Sequence, residues 1–201
     1  MKTYGNRQKH LSTNPLQRFL LAKFHGKIGE LVRQTGAREI FDAGCGEGFI
    51  INYLRQQPLP LAFLAGGDLR LDSLVWGRSH LAHQAPLVQM DIHHLPFPDN
   101  TFPLLLCLEV LEHVPDSTLG LRELARVSSE YLVISVPHEP FFRGANFLRG
   151  RQLQAWGKDP EHLHVYTGAD FHRMASQAVE VIWHGYSFPW QIMLARKRKV
   201  S

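Results

Sequence analysis

Cysteine is scarce in this chain: Cys45 and Cys107 are its only two in 201 residues. Two thiols build no disulfide framework. Cys45 stands in a glycine turn and Cys107 in an apolar run, so both read as reduced, and the protein is expected in the cytoplasm. No apolar run reaches the roughly 18 residues that a membrane-spanning helix needs, so no membrane span is expected. The opening Lys2-Thr3-Tyr4-Gly5-Asn6-Arg7 has no apolar core of a secretory leader. Internal repeats and low-complexity tracts are also missing. Charge of one sign is hardly in excess: 22 Lys and Arg face 18 Asp and Glu, for a net charge of +4. The basic residues are scattered except for Arg196-Lys197-Arg198-Lys199. That run reads as a solvated tail, with a nucleic-acid or membrane contact as the alternative.

What is present suits an enzyme-sized globular unit. With 44% hydrophobic residues the chain can bury a core, and one domain over residues 1–201 is the simplest organisation. Residues 1–36 form an N-terminal helical extension. Within it Leu16, Phe19, Leu20, Phe24, Ile28, Leu31 and Val32 recur at helical spacing, with Asn14-Pro15 as the start and Gly36 as the stop. This helix should pack on the edge of the fold or partly cover a ligand cleft. Strand-like apolar runs then alternate with helical patterns. Strands are expected over 61–67, 86–90, 104–108, 131–136, 179–183 and 190–195. Helices are expected over 49–56, 71–82, 117–127 and 170–177.

The chain is organised around Glu39-Ile40-Phe41-Asp42-Ala43-Gly44-Cys45-Gly46-Glu47-Gly48-Phe49. An apolar strand ends in an acid, breaks into three alternating glycines and enters a helix. The glycines let a ligand approach the main chain. Asp42 would oppose a phosphate and favour an amino group, whereas a pyrophosphate site wants bare amides at the helix start. A dinucleotide fingerprint is not met either, because Phe49 stands where a glycine or alanine is required. Asp68 ends the next strand a little over twenty residues on, in the register of a carboxylate that grips ribose hydroxyls.

The D-A-G-C-G-E-G stretch resembles the first motif of class I S-adenosylmethionine (SAM) dependent methyltransferases of the type 11 family. Leu95-Pro96-Phe97-Pro98-Asp99-Asn100-Thr101-Phe102 is similar to that family's L-P-F-P-D-x-S/T-F-D loop, with Pro103 in place of the last acid. Glu109-Val110-Leu111-Glu112-His113-Val114 is similar to its E-x-L-E-H-V element. The resemblance covers nearly all of the chain from Ile40 onward. It implies a doubly wound, Rossmann-like α/β fold with a seven-stranded sheet, parallel but for one strand, and helices on both faces. It also implies SAM as cofactor, S-adenosylhomocysteine as product, and a set of contacts. Asp42, Gly44, Cys45 and Gly46 would lie around the methionine and ribose, and Asp68 with Leu69 at the ribose. Asp91 with Ile92 would meet the adenine, and the main chain of Leu108 and Glu109 the methionine amino group.

On the acceptor side, His113 is the first candidate for general base and His138 the second, each against the reading of a histidine that bonds loop backbone. Glu109, Glu112 and His113, completed by His162 or His164, have the E-x-x-E-H spacing of methyltransferases that hold a divalent ion. The same sequence occurs in type 11 members with no metal, so no metal is assigned. Residues 138–169, rich in Phe, Arg and Gly, should form an acceptor-side lid. The expected partner is a small-molecule acceptor, methylated at oxygen by a monomer or homodimer. An RNA 2′-O-methyltransferase and an inactive SAM-binding partner protein are the alternatives.

Overall fold

The computed structural model describes residues 5–82, 84–138 and 163–198. The chain opens with a short helix, α1 (Gly5–His10), followed by α2 (Pro15–Thr35). Asn14 caps α2 by accepting hydrogen bonds from the amides of Leu16 and Gln17, and Gly36 ends it. Strands and helices then alternate: β1 (Glu39–Ala43), α3 (Phe49–Arg55), β2 (Phe63–Asp68), α4 (Leu71–His80), β3 (Leu87–Gln89) and β4 (Phe102–Leu108). After them come α5 (Ser117–Val127), β5 (Ser128–Pro137), α6 (Gly168–Ala178), β6 (Val179–Ser187) and β7 (Trp190–Lys197).

The strands form one seven-stranded sheet in the order β3-β2-β1-β4-β5-β7-β6. Every neighbouring pair is parallel except those of β7, which runs antiparallel to β5 and β6. This is the expected doubly wound sheet. Strand β4 lies at its centre, and Leu104, Leu105, Leu106 and Cys107 are wholly buried. Alternate residues of β4 feed the two halves of the core, because successive side chains point to opposite faces. Leu104, Leu106 and Leu108 join Ile28 of α2, Ile51 of α3 and Leu74 of α4. Leu105 and Cys107 join Leu121 and Leu124 of α5 and Phe171 of α6. A strand covered on both sides must be apolar throughout, which is why it reads as an unbroken run.

Several boundaries depart from the sequence expectation. Proline has no amide hydrogen for a sheet ladder. Pro103 accordingly sits where the register between β4 and β5 shifts. Strand β5 begins three residues earlier than expected, where Ser128 pairs with Phe102 of β4, and β6 runs on to Ser187 because antiparallel β7 supplies partners along it. Helix α2 lies against β5 and β6, while the short α1 takes the position over the cleft. Of the C-terminal cations, Arg196, Lys197 and Arg198 are also not a free tail. Arg196 and Lys197 belong to β7; Arg196 donates to the Tyr131 hydroxyl and Lys197 to the carbonyls of Arg126 and Ser128. Most of the lid expected over 138–169 falls outside the described residues. Among the described residues, no helix is long and apolar enough to cross a membrane.

Candidate active site

In a doubly wound sheet, ligands bind beyond the carboxyl ends of the strands where the strand order reverses. Here that point lies between β1 and β4, neighbours in the sheet though distant in sequence. The glycine turn leaves β1 at this point. Gly44 and Gly46 have φ values of 85° and 54°, a region unfavourable to residues with a Cβ. A Cβ on Gly44 would lie 2.3 Å from Val110 Cγ2, so the loop after β4 rests on bare main chain. The amides of Gly44 and Cys45 donate to the carbonyl of Gly67 at 2.7 and 3.0 Å, joining the turn to β2.

Two carboxylates converge on this turn. Asp68, at the end of β2, accepts from the Gly46 amide at Oδ2 and from the Arg70 amide at Oδ1, both at 2.8 Å. Burial raises its pKa, and those two amides pull it back part of the way. Asp42, on β1, is 2% exposed. Burial, with the Asp68 charge adding to it, raises its carboxyl from 3.8 to about 7. Among the described residues no Lys, Arg or His pairs with Asp42. Cys45 is buried, and burial followed by the nearby Asp42 pushes its thiol up, so it stays protonated. Leu69, next to Asp68, is 63% exposed at the start of the following loop.

Asp91 follows β3. Its Oδ1 accepts from the amide of His93 at 2.9 Å and lies 2.7 Å from that residue's Nδ1. The amide bond is the main reason its pKa lies below the usual carboxylate range. The Ile92 side chain is buried in the core, so what it can offer a ligand is main chain. At the end of β4, Leu108 is buried and Glu109 adopts φ 60°. The Glu109 amide donates to the Ser135 carbonyl, and its carboxylate lies 3.9 Å from Lys9 Nζ.

The candidate bases part company. His113 lies in the turn after β4, its Nε2 3.8 Å from Oε1 of the buried Glu112. His138 is at the end of β5, its amide bonded to the Pro189 carbonyl and its ring edge-on to Tyr186 at 5.1 Å. Burial lowers the His138 pKa, which keeps the imidazole neutral at pH 7. The E-x-x-E-H residues do not converge. Glu109 turns to Lys9, and His164 points its Nε2 at the carbonyls of Val114 and Pro115, 2.9 and 3.2 Å away. His162 lies outside the described residues. Among the described residues no three His, Cys, Asp or Glu side chains are grouped to hold a metal.

Two features of the site escape sequence reasoning. Helix α1 covers the glycine turn: Asn6 donates to Glu47 Oε2 at 2.7 Å, and Arg7 Nε lies 3.5 Å from Glu47 Oε1 and stacks over Trp76. His10 lies flat on Phe49, ring centres 4.2 Å apart. Glu47 is thereby 1% exposed and anchors the turn rather than facing a ligand. Six residues are too few to show a repeating hydrophobic pattern, so nothing in the sequence marked this helix. On the other side, Gly77 brings α4 against the turn, since a Cβ there would fall 1.9 Å from the Glu47 carbonyl oxygen. A helical glycine carries no sequence signal of such contact.

Comparison with known proteins places this geometry. Residues 41–130 match the family described as methyltransferase domain. The "Probable S-adenosylmethionine-dependent methyltransferase" of Mycobacterium tuberculosis is 30% identical over 117 residues, 56% of this chain and 40% of that protein. The magnesium protoporphyrin IX methyltransferase of Synechocystis PCC 6803, solved with bound S-adenosylhomocysteine, superposes with a TM-score of 0.69. It covers 96% of this chain and 92% of its own, at 17% identity. Residues 41–130 thus match a methyltransferase domain, and the fold is the one seen in solved methyltransferases.

Among further relatives of this methyltransferase domain, the fatty-acid O-methyltransferase of Mycolicibacterium smegmatis is 28% identical over 57% of the chain and 41% of its own length. The malonyl-[acyl-carrier protein] O-methyltransferase of Halorhodospira halophila is 28% identical over 71% of the chain and 47% of its own. The chain thus spans less than half the length of these curated relatives. The domain's residues fit the family's cofactor. A buried carboxylate, Asp42, with no cation paired to it among the described residues, stands beside main chain kept bare by glycine, a setting that suits a ligand ammonium.

Proposed function

We propose that this domain transfers a methyl group from SAM to a small-molecule acceptor, at oxygen. The observation that carries the proposal is the pair Asp42 and Asp68, converging on a turn whose alternate residues are glycines. One carboxylate has no cation paired to it among the described residues and suits the amino acid end of the donor. The other, fixed by two amides, suits a vicinal diol. SAM supplies a methyl group on a sulfonium, already activated for in-line displacement.

The chain's own residues then bind, orient and exclude water. Asp42 would hold the donor ammonium directly or through water, aided by main-chain carbonyls around Leu108 and Glu109. Asp68 would accept from the ribose hydroxyls, with Leu69 against the sugar. Asp91 would accept from the adenine amine, and the Ile92 amide would face a ring nitrogen. His138, neutral at pH 7 and at the end of β5, is the better-supported base for an acceptor hydroxyl or carboxyl group; His113 is the other. The names of the fatty-acid and malonyl relatives support oxygen as the methylated atom. Two free, buried cysteines support a reducing, cytoplasmic setting.

Transfer of tritium from methyl-labelled SAM tests the reading. Small hydroxyl and carboxyl compounds and a short RNA would be offered in parallel, with and without EDTA. Label in a small acceptor, insensitive to EDTA, supports it. Label only in RNA, lost with EDTA and with salt, would replace it by the RNA reading. No label in any acceptor despite tight SAM binding would favour the inactive partner protein.

A further inference from the structure

The first turn and a half of α2 overhangs the domain. None of residues 15–20 is buried, and the packed face of the helix begins only at Leu21, continuing through Phe24, Ile28, Leu31 and Val32. On the overhang and the loop before it, Leu11, Leu16 and Phe19 are 57%, 56% and 56% exposed. Leu16, Phe19 and Lys23 lie at i, i+3 and i+7, on one stripe of the helix. Beside them an open groove of about 550 Å³ runs between α1 and α2, lined by His10, Arg18, Phe19, Leu21 and His25 among others.

Charge on this face has a single sign. Up to residue 29 the chain carries Lys2, Arg7, Lys9, Arg18, Lys23 and Lys27, and its first acid is Glu30. Arg7 and Lys9 are turned inward to Glu47 and Glu109, and Lys27 pairs with Glu30 at 2.8 Å. Arg18 and Lys23 remain exposed around the apolar tips, with Lys23 Nζ 5.4 Å over the Phe19 ring. Burial keeps His10 and His25 neutral, so the positive charge comes from Arg18 and Lys23.

We propose that this overhang docks the domain on an anionic lipid bilayer. Leu11, Leu16 and Phe19 enter the boundary between headgroups and acyl chains, and Arg18 and Lys23 rest among the anionic headgroups. Protruding apolar tips flanked by long cations, with no acid between them, match an interface that is apolar beneath and negative on top. A nucleic acid would leave Leu11, Leu16 and Phe19 without apolar partners. A bilayer satisfies both the charge and the exposed apolar area. Helix α1, whose His10 lines the groove, covers the glycine turn through Asn6 and Arg7, so docking holds the site close to the membrane. In combination with the proposed activity, that would favour an acceptor of amphiphilic, lipid-like chemistry.

Co-sedimentation with vesicles tests this without any acceptor or donor. The full chain is expected to pellet with phosphatidylcholine vesicles rich in phosphatidylglycerol and to stay in solution with phosphatidylcholine alone. L16S/F19S should weaken partitioning about tenfold or more, through lost apolar burial. R18Q/K23Q should weaken it by about tenfold and erase the preference for anionic vesicles. Both variants should keep the wild-type melting temperature and S-adenosylhomocysteine affinity, since neither touches the core or the glycine turn. Failure of folded wild type to bind phosphatidylglycerol vesicles would overturn the proposal. So would binding indifferent to L16S/F19S, or a short RNA that binds R18Q/K23Q poorly but L16S/F19S as well as wild type. Loss of S-adenosylhomocysteine binding with vesicle binding intact would count against the methyltransferase reading alone.

Discussion

The Gly46 amide and Asp68 Oδ2 lie 2.8 Å apart, and this bond makes the glycine turn and the end of β2 one unit. The carboxylate that should receive the ribose also fixes the main chain that should pass beside the methionine. Asp68→Ala therefore removes a ligand acceptor and loosens the turn together. Loss of two charge-assisted bonds predicts SAM affinity lower by at least about a hundredfold. Asp68→Asn keeps one oxygen for an amide donor and should retain more of the thermal stability than of the affinity. Calorimetric titration and a melting curve for each variant separate the two effects.

Asp42 predicts how stability follows pH. Its carboxyl titrates at about 7 in the folded chain against 3.8 as the ordinary value, because burial penalises the charge. Below pH 3.8 the group is protonated in both states and contributes nothing. Between pH 3.8 and about 7 the folded state holds a proton that the unfolded state has released, so stability falls as pH rises. Above about 7 the loss is complete and levels off. Asp42→Asn should flatten this decline and stabilise the protein at pH 8, by an amount on the order of 1.4 kcal/mol per pKa unit. Denaturant melts across pH 4–8 check it.

The same group predicts a proton released on binding. A ligand ammonium beside Asp42 favours the ionised carboxylate, so SAM binding at pH 6 should expel close to one proton. Titrations in two buffers of different ionisation heat would give apparent enthalpies that differ accordingly. Equal enthalpies would place the ammonium elsewhere.

Glycine substitutions separate close approach from helix propensity. Gly44→Ala combines a left-handed φ with a Cβ 2.3 Å from Val110, so binding should be lost and the melting temperature lowered. Gly26→Ala, inside α2 with nothing within 4 Å of the added carbon, should stabilise by about 0.5–1 kcal/mol and leave binding untouched.

Arg126 of α5 holds the proline-rich loop. It donates to Glu123, Asp99 and the carbonyls of Leu95 and Phe97, each at 2.8–3.0 Å. Arg126→Met should cost about 1–3 kcal/mol of stability. It should raise the KM for SAM through Asp91 and Ile92, which precede the loop, with little effect on kcat. Urea melts and initial-rate kinetics would show both.

The sheet was legible because each buried strand writes its own pattern: β4 reads as an unbroken apolar run, and Asp42, Asp68 and Asp91 stand within two residues of a strand's end. Motif spacing therefore named the residues expected on the donor side. Contacts made by isolated side chains were not legible. Arg126 carries no mark that it grips a loop 27–31 residues away. Helix α1, at six residues, is too short to show a repeating hydrophobic pattern, yet it buries Glu47 through Asn6 and Arg7. The E-x-x-E-H spacing suggested a ligand set that is not grouped among the described residues, where Glu109, at φ 60°, has its carboxylate 3.9 Å from Lys9 Nζ.

The most direct test of the donor site is calorimetric titration of the folded chain with S-adenosylhomocysteine, repeated with Asp68→Ala and with EDTA present. One-to-one micromolar binding, indifferent to EDTA and lost in Asp68→Ala, is the predicted result. Absence of binding by folded wild type, or unchanged binding in a folded Asp68→Ala variant, would contradict it.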